Sequence, residues 1–408
     1  MHNFNGFRKG RSTTTALASM IAEWSQSYDA NMNTGILLWD LSSAFDTIDI
    51  DVFCEKLVLF GVAHNSVSWF RSFLTNRKQI VEVGKGGSKP IYVSTGCPQG
   101  SLLSPLIFLI YIADMELWVN HASVRGYADD TATSVCARTE EEVISMLEAD
   151  ATRILKYMAS NSLSASPKKT GFLFIRTKRS ESKTIQVGEE VVMEQDHHKI
   201  LGISVNNTLS WNDHITDELI PSVNRRIGSL RRISQHVPMT YLPQIASAIV
   251  GSKIRYGVAI YGSVRLSTND PIQNHHRSLQ VALNNAMRVA MGRRRSERVP
   301  ITELCKLTKM QSLNRMSAEE KLSLVWCAQN VPSSPLADVF QKPTREKMPS
   351  RAIAREDLVS SAKSELSRRN VVHQAVRVWN NVDPAHRKIE KKASVKKMIR
   401  SFVNALPL

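Results

Sequence analysis

Gly126-Tyr127-Ala128-Asp129-Asp130-Thr131 sets two adjacent carboxylates between two short apolar segments, and the reading of this hexapeptide decides the fold. The segments Ala122 to Tyr127 and Thr131 to Ala137 predict two strands joined by a tight turn. Two carboxylates a few ångströms apart repel each other when ionised, so a chain that keeps them together usually gives them a divalent cation to share. A solvated turn is the plainer alternative, because Asp is a common turn residue. The rest of the chain decides between them.

At 408 residues and 42% hydrophobic content the chain is long enough for two or three domains with real cores. Its five cysteines, Cys54, Cys97, Cys136, Cys305 and Cys327, are odd in number, scattered and never spaced as C-x-x-C. That usage argues against a disulfide framework and a zinc knuckle, and fits a reducing intracellular setting, nucleus or cytoplasm. No apolar signal core follows Met1, and the longest apolar stretch, Leu102 to Ala113, holds Pro105 and is too short to span a bilayer. The expectation is a chain with no membrane role.

The net charge of +16 is unevenly placed. Residues 1 to 204 carry 20 Lys/Arg against 22 Asp/Glu, net −2, which leaves 33 against 15, net +18, in residues 205 to 408. A basic field of that size suits a polyanion such as RNA or DNA, although it also serves as a solubilising surface.

In chain order, Gly6 to Thr14 is a basic, glycine-punctuated loop able to face phosphates, followed by a helix over Thr15 to Tyr28. The apolar run Gly35 to Trp39 is strand-like and ends at Asp40, a frequent place for a metal ligand and also for a helix cap. Helices over Asp51 to Phe60 and Ser66 to Thr75 come next, then a hairpin from Gln79 to Val83 and Lys89 to Val93. Ser94 to Ser101 is a Gly/Pro loop opening an apolar helix, Leu103 to Val119, where another molecule could approach closely. Beyond the acidic turn, Thr139 to Glu142 is a capping box for a long amphipathic helix. Strands follow at Phe172 to Ile175 and Lys199 to Val205, with a hairpin around Gly188. Residues 30 to 205 thus read as an α+β domain with a mixed or antiparallel sheet. Past Trp211 the pattern becomes helices with basic faces, and Pro332 to Ser350 reads as a linker or an irregular crossing.

Asp40 closing a buried strand, Gly96-Cys97-Pro98-Gln99-Gly100-Ser101 before a helix, and Tyr127-Ala128-Asp129-Asp130 in a hairpin resemble, in order and spacing, the palm motifs of reverse transcriptases. Asp40 to Asp49 and Gly6 to Thr14 resemble the non-LTR, LINE-type retrotransposon branch. The resemblance implies a right-hand polymerase, with partial fingers and an antiparallel palm over 1–215, an α-helical thumb over 216–330, and a linker with a basic helical segment over 331–408. It implies an RNA-directed DNA polymerase that adds dNTPs to a DNA primer on an RNA template, with Mg²⁺ or Mn²⁺. The RNA–DNA duplex would lie on the basic second half.

The resemblance also assigns roles to residues. Asp40 and Asp129 become bridging metal ligands, their carboxylates on roughly a 4–6 Å scale, and Asp130 the third acid. Tyr127 is assigned, with Phe45, Gln99 and Gly100, to the binding of the incoming nucleotide. Phe45 falls where the family carries an aromatic residue under the incoming sugar, excluding a 2′-hydroxyl, and Gln99 and Gly100 lie beside the templating base. Lys169 matches a lysine placed near the pyrophosphate, and Leu201-Gly202 the turn that supports the primer end. Asp46, Asp49 and Asp51 read as helix-start acids, and the pairs His197-His198 and His275-His276 as surface or core histidines. The upstream fingers strands, an endonuclease, an RNase H pattern and a Cys/His knuckle are not found, which reads as a 5′-truncated element. The alternatives are an inactive remnant that only binds nucleic acid, and an RNA-templated RNA polymerase or maturase-like protein.

Overall fold

The computed structural model describes residues 3–41, 43–165, 170–178, 180–340, 357–358, 362–389 and 392–407. The chain divides into two units: Met1–Ser12 with Asn31–Leu201, and Thr13–Ala30 with Gly202–Leu408. Helix α1 (Thr13–Asp29) therefore belongs to the second unit.

The first unit is built around β1 (Asn33–Asp40), in which Asn33 to Trp39 are buried and Asp40 is the first half-exposed position. Seven buried residues in a row mark a strand covered on both faces. After it come α2 (Ile50–Leu59), capped by the Asp49 carboxylate, and α3 (His64–Leu74). The expected hairpin follows as short strands β2 (Arg77–Gln79), β3 (Glu82–Val83), β4 (Gly86–Gly87) and β5 (Ile91–Val93), leading to α4 (Ser104–Tyr111). The remaining strands are β6 (Ser123–Tyr127), β7 (Asp130–Ala137), β8 (Gly171–Ile175), β9 (Thr184–Val187), β10 (Glu190–Met193) and β11 (His197–Ile200), with α5 (Glu140–Ser160) after β7. The main sheet runs β6-β7-β1-β8, antiparallel throughout.

Helix α5 opens with the capping box read from Thr139 and Glu142. It lies so close to β1 that a Cβ on Gly35 would fall 2.6 Å from Val143 Cγ1. Two turns further on, the fully buried Asp150 accepts the backbone N–H groups of Asn120, His121 and Ala122 at 3.0, 2.7 and 2.7 Å. Burial opposes the charge on Asp150, but these donors and Arg153 outweigh it and hold the carboxyl below its usual range. The loop that enters β6 is thereby fixed.

The long apolar helix expected over Leu103 to Val119 ends instead at Tyr111, with a 3₁₀ turn at Met115–Leu117. The reason is a buried ammonium. Lys56 Nζ donates to the Tyr111 carbonyl and to Asp114 Oδ1, both at 2.6 Å, so that carbonyl is satisfied without a further helical turn.

In the second unit, β12 (Ile203–Asn206) leads to α6 (Ile220–Ile233), α7 (Leu242–Ala246), α8 (Ser252–Arg255), α9 (Val258–Tyr261), α10 (Asn274–Ala290), α11 (Ile301–Thr308) and α12 (Leu313–Asn330). Helices at Val371–Asn380, which buries Trp379, and Lys392–Ala405 pack on α12. The short helix α9 ends inside the core, where water cannot reach its carbonyls. The fully buried Lys321 of α12 takes two of them, Ala259 and Gly262. Among the described residues, no helix is long and apolar enough to cross a membrane.

Candidate active site

The strand register carries the site. β1 and β7 pair without interruption from Asn33↔Ala137 to Asp40↔Asp130, and β6 and β7 pair from Ser123↔Ser134 to Tyr127↔Asp130. Residues directly opposite in an antiparallel pair project to the same face with Cβ atoms about 4.5–5.5 Å apart. Asp40 and Asp130 are such a pair, at the open end of the ladder. Asp129 lies in the two-residue turn before Asp130, so the register partner of Asp40 is Asp130 and Asp129 is its neighbour.

Electrostatics tie the three acids together. Asp130 is open to solvent by residue, yet its carboxyl is pushed above the usual range, first by lost hydration and then by Asp129 and Asp40. Like charges that raise the pKa of Asp130 suit an added cation, and three carboxylates form the all-oxygen donor set that a hard divalent ion prefers. Among the described residues, however, no three Asp, Glu, His or Cys side chains converge as a closed metal-binding group. The donor chemistry of the three carboxylates fits a divalent ion.

The turn itself is strained. Ala128 has φ +56°, a conformation that costs a non-glycine residue about 1–2 kcal/mol. What holds it is the chain start, where Phe4 forms a parallel bridge to Gly126, Asn5 N–H donates to the Gly126 carbonyl at 2.7 Å, and Gly126 N–H donates to the Asn3 carbonyl at 3.1 Å. A Cβ on Gly126 would meet the Phe4 ring at 2.4 Å, and one on Gly6 would fall 2.6 Å from the Ala128 nitrogen. Both glycines are required by close approach. Nearby, burial and the charges of Arg8 and Arg125 lower the Arg11 pKa to about 10.

The Gly/Pro loop docks on the residues after Asp40. Gly96 N–H donates to the Ile48 carbonyl at 2.8 Å, and Cys97 N–H to the Phe45 carbonyl at 2.9 Å. Gln99 Nε2 donates to Asp46 Oδ1 at 2.8 Å. Asp46, expected at a helix start, lies in a turn before the cap and holds Gln99 instead, while Asp49 does cap α2. Phe45 stacks on the buried Phe108 at 4.7 Å. Gly100 has φ +87°, with open space where a Cβ would sit.

Of the residues singled out in the sequence, the first unit gathers Asp40, Asp129, Asp130 and Tyr127 at one end of the sheet, and joins Phe45 to the loop of Gln99 and Gly100. Lys169 lies outside the described residues. Leu201 and Gly202, between β11 and β12, both have positive φ, 48° and 78°. His276 is a core histidine whose Nε2 meets the Tyr261 carbonyl at 2.9 Å. The sequence reading missed the pinning of the turn by Asn3 to Gly6, for which the only signal was Gly6 within the basic loop. It also missed Asp150, which looks like any surface acid on α5.

An antiparallel sheet with acids at the hairpin end of its central strands, and a Gly/Pro loop docked beside them, is the layout of a polymerase palm. A family profile described as "Reverse transcriptase (RNA-dependent DNA polymerase)" matches residues 1–205, half of the chain, and the chain belongs to that family. Among curated relatives are the probable RNA-directed DNA polymerases from transposon BS and transposon X-element of Drosophila melanogaster. They are 26% and 22% identical to this chain over 70% and 71% of it. The RNA-directed DNA polymerase from mobile element jockey of the same fly is 22% identical over 47% of this chain. These matches bear out the LINE-type resemblance. The chain spans 32% of the length of the first two relatives and 22% of the third. Solved telomerase structures from Candida tropicalis and Candida albicans align with TM-scores of 0.42 and 0.40 at 11% identity, over 83% and 76% of this chain and 52% and 55% of those chains.

Proposed function

We propose that this chain is the catalytic part of a retrotransposon reverse transcriptase, an RNA-directed DNA polymerase that joins dNTPs to a primer 3′-hydroxyl on an RNA template. The observation that carries the reading is the pairing of Asp40 with Asp130, one residue from Asp129, at the open end of the sheet. Asp40, Asp129 and Asp130 would hold divalent ions, Mg²⁺ or Mn²⁺, which when bound supply charge neutralisation at the phosphoryl group and activation of the 3′-hydroxyl. The protein's own part is positional. Phe45, braced from behind by Phe108, faces the sugar and rejects a 2′-hydroxyl. Gln99, held by Asp46, and Gly100, with its open surroundings, receive the templating base. Lys169 is assigned to the leaving pyrophosphate by its place in the sequence. The net +18 of residues 205 to 408 binds the RNA–DNA duplex through phosphates, an attraction that weakens as salt rises. Its free cysteines suit the reducing nucleus or cytoplasm.

The net +18 of residues 205 to 408 would bind nucleic acid whether or not synthesis occurs, which favours a second reading, a remnant that binds without synthesis. Primer extension on an RNA template with dNTPs and Mg²⁺ separates the two. Extension that Asp129→Ala lowers by at least about 10²–10³-fold, the scale of a lost transition-state contact, supports the polymerase. Salt-sensitive binding with no extension leaves the remnant, and preference for rNTPs would point to an RNA-templated RNA polymerase.

A further inference from the structure

Phe7 sits in the first unit between two pinned stretches. On one side Asn5 and Gly6 are fastened to the acidic turn, Asn5 by its 2.7 Å bond to Gly126 and Gly6 by contact with the Ala128 backbone. On the other side the Arg8 and Arg11 guanidinium groups reach back to the Phe4 carbonyl at 3.3 and 3.4 Å. Phe7 itself has φ +54°, and its residue is 55% exposed. A bulky side chain in the left-handed region is a true outlier, and so little burial does not repay the strain. Strain held at a working site is a reason to look for function.

What the ring touches is informative. Phe7 stands edge-on to Phe45, with centroids 6.4 Å apart and planes at 86°. Phe45 is stacked at 28° on Phe108. The Phe45 ring is therefore held by two rings, one stacked on it and one perpendicular to it, and loss of either removes a contact that fixes its tilt. A wall that gives way tolerates a ribose hydroxyl; a braced wall rejects it.

We infer that Phe7 is a positioning residue for sugar selection: it braces Phe45 so that the site takes deoxyribonucleotides over ribonucleotides. This inference rests on the polymerase reading. It ties the chain start to the chemistry, because the segment that pins the acidic turn also sets the wall beside the incoming sugar.

The test is a ratio. For one base, kcat/KM is measured with the dNTP and with the rNTP on an RNA template, for the wild type, Phe7→Ala, Phe7→Tyr, Phe45→Val and the Phe7→Ala/Phe45→Val double variant. Phe7→Ala is expected to lower the dNTP:rNTP discrimination about three- to tenfold, the span of one edge-to-face aromatic pair. Phe7→Tyr should keep the wild-type ratio, and in the Phe45→Val background Phe7→Ala should add little. A smaller folded fraction lowers both rates and leaves their ratio unchanged, so a merely structural role does not move it. An unchanged ratio in Phe7→Ala, or full additivity with Phe45→Val, overturns the inference while wild-type extension keeps the polymerase reading intact. If the wild type extends nothing, that reading fails, and this inference fails with it.

Discussion

Lys56 in the first unit and Lys321 in the second are both cut off from water, at 6% and 0% exposure, yet they are kept in opposite ways. The first has a carboxylate. Its Nζ meets Asp114 Oδ1 at 2.6 Å and the Tyr157 hydroxyl at 3.2 Å, and it sits 5.0 and 4.9 Å from the Tyr111 and Tyr157 ring centroids. Burial lowers its pKa, and Asp114 works against that fall. The second has only carbonyls, and burial alone lowers its pKa to about 7. The α+β unit thus buries a neutral pair of charges, whereas the helical unit buries a cation that can lose its proton near neutrality. A charge in a core persists when a partner or a titration removes its cost.

The largest expected effect is at the pair. Lys56→Met removes the cation beside Asp114 and leaves Asp114 and the Tyr111 carbonyl to share the single Tyr157 hydroxyl proton, and should lower stability by about 3–5 kcal/mol in urea denaturation. Adding Asp114→Asn should recover part of that loss. A single-variant loss below about 1 kcal/mol, the worth of an exposed ion pair, would break the contrast.

A smaller effect is expected at Lys321, and its sign follows from protons. Between about pH 7 and its unfolded pKa near 10.4 the unfolded chain binds the proton that the folded chain has lost, so stability rises with pH across that window. Thermal midpoints measured from pH 6 to pH 9 should climb for the wild type and flatten for Lys321→Met. Parallel curves would mean that the ammonium is better solvated than its carbonyl cage suggests.

The smallest effect sharpens the same contrast at the rim of the first unit, where like charges meet. Folding raises the Asp130 pKa, so its ionised form costs stability above the ordinary carboxyl range and costs nothing well below it. In the presence of a chelator, Asp130→Asn should raise the thermal midpoint at pH 7 by about a degree or two. That gain should shrink below about pH 4 and vanish near about pH 2. A gain that persists there would assign the effect to something other than charge.

Most of the candidate site's layout was legible because it consists of local patterns: a buried run ending in Asp40, a Gly/Pro loop ahead of an apolar helix, an acid pair between strands. The long helix expected over Leu103 to Val119 failed for a non-local reason, since an ammonium from Lys56, 55 residues earlier, takes the Tyr111 carbonyl. Asp46 was read as a helix acid because nothing nearby announces Gln99, 53 residues away. Asp150 and the pinning by Phe4 and Gly6 were hidden likewise, because a backbone partner leaves no mark in composition or periodicity. The helical second half was visible as texture, while the inward turn of Lys321 was not.

The uninterrupted ladder between β1 and β7 makes the site sensitive to a slip of a single residue. Asp40 faces Asp130 because eight residues of one strand are counted off against eight of the other with no bulge to absorb an error. Loss or gain of one codon within Asn33 to Trp39 keeps the strand apolar, and so keeps the sheet, but turns Asp40 to the other face. Composition and motif would be unchanged by such a slip, and only the parity of the count would reveal it.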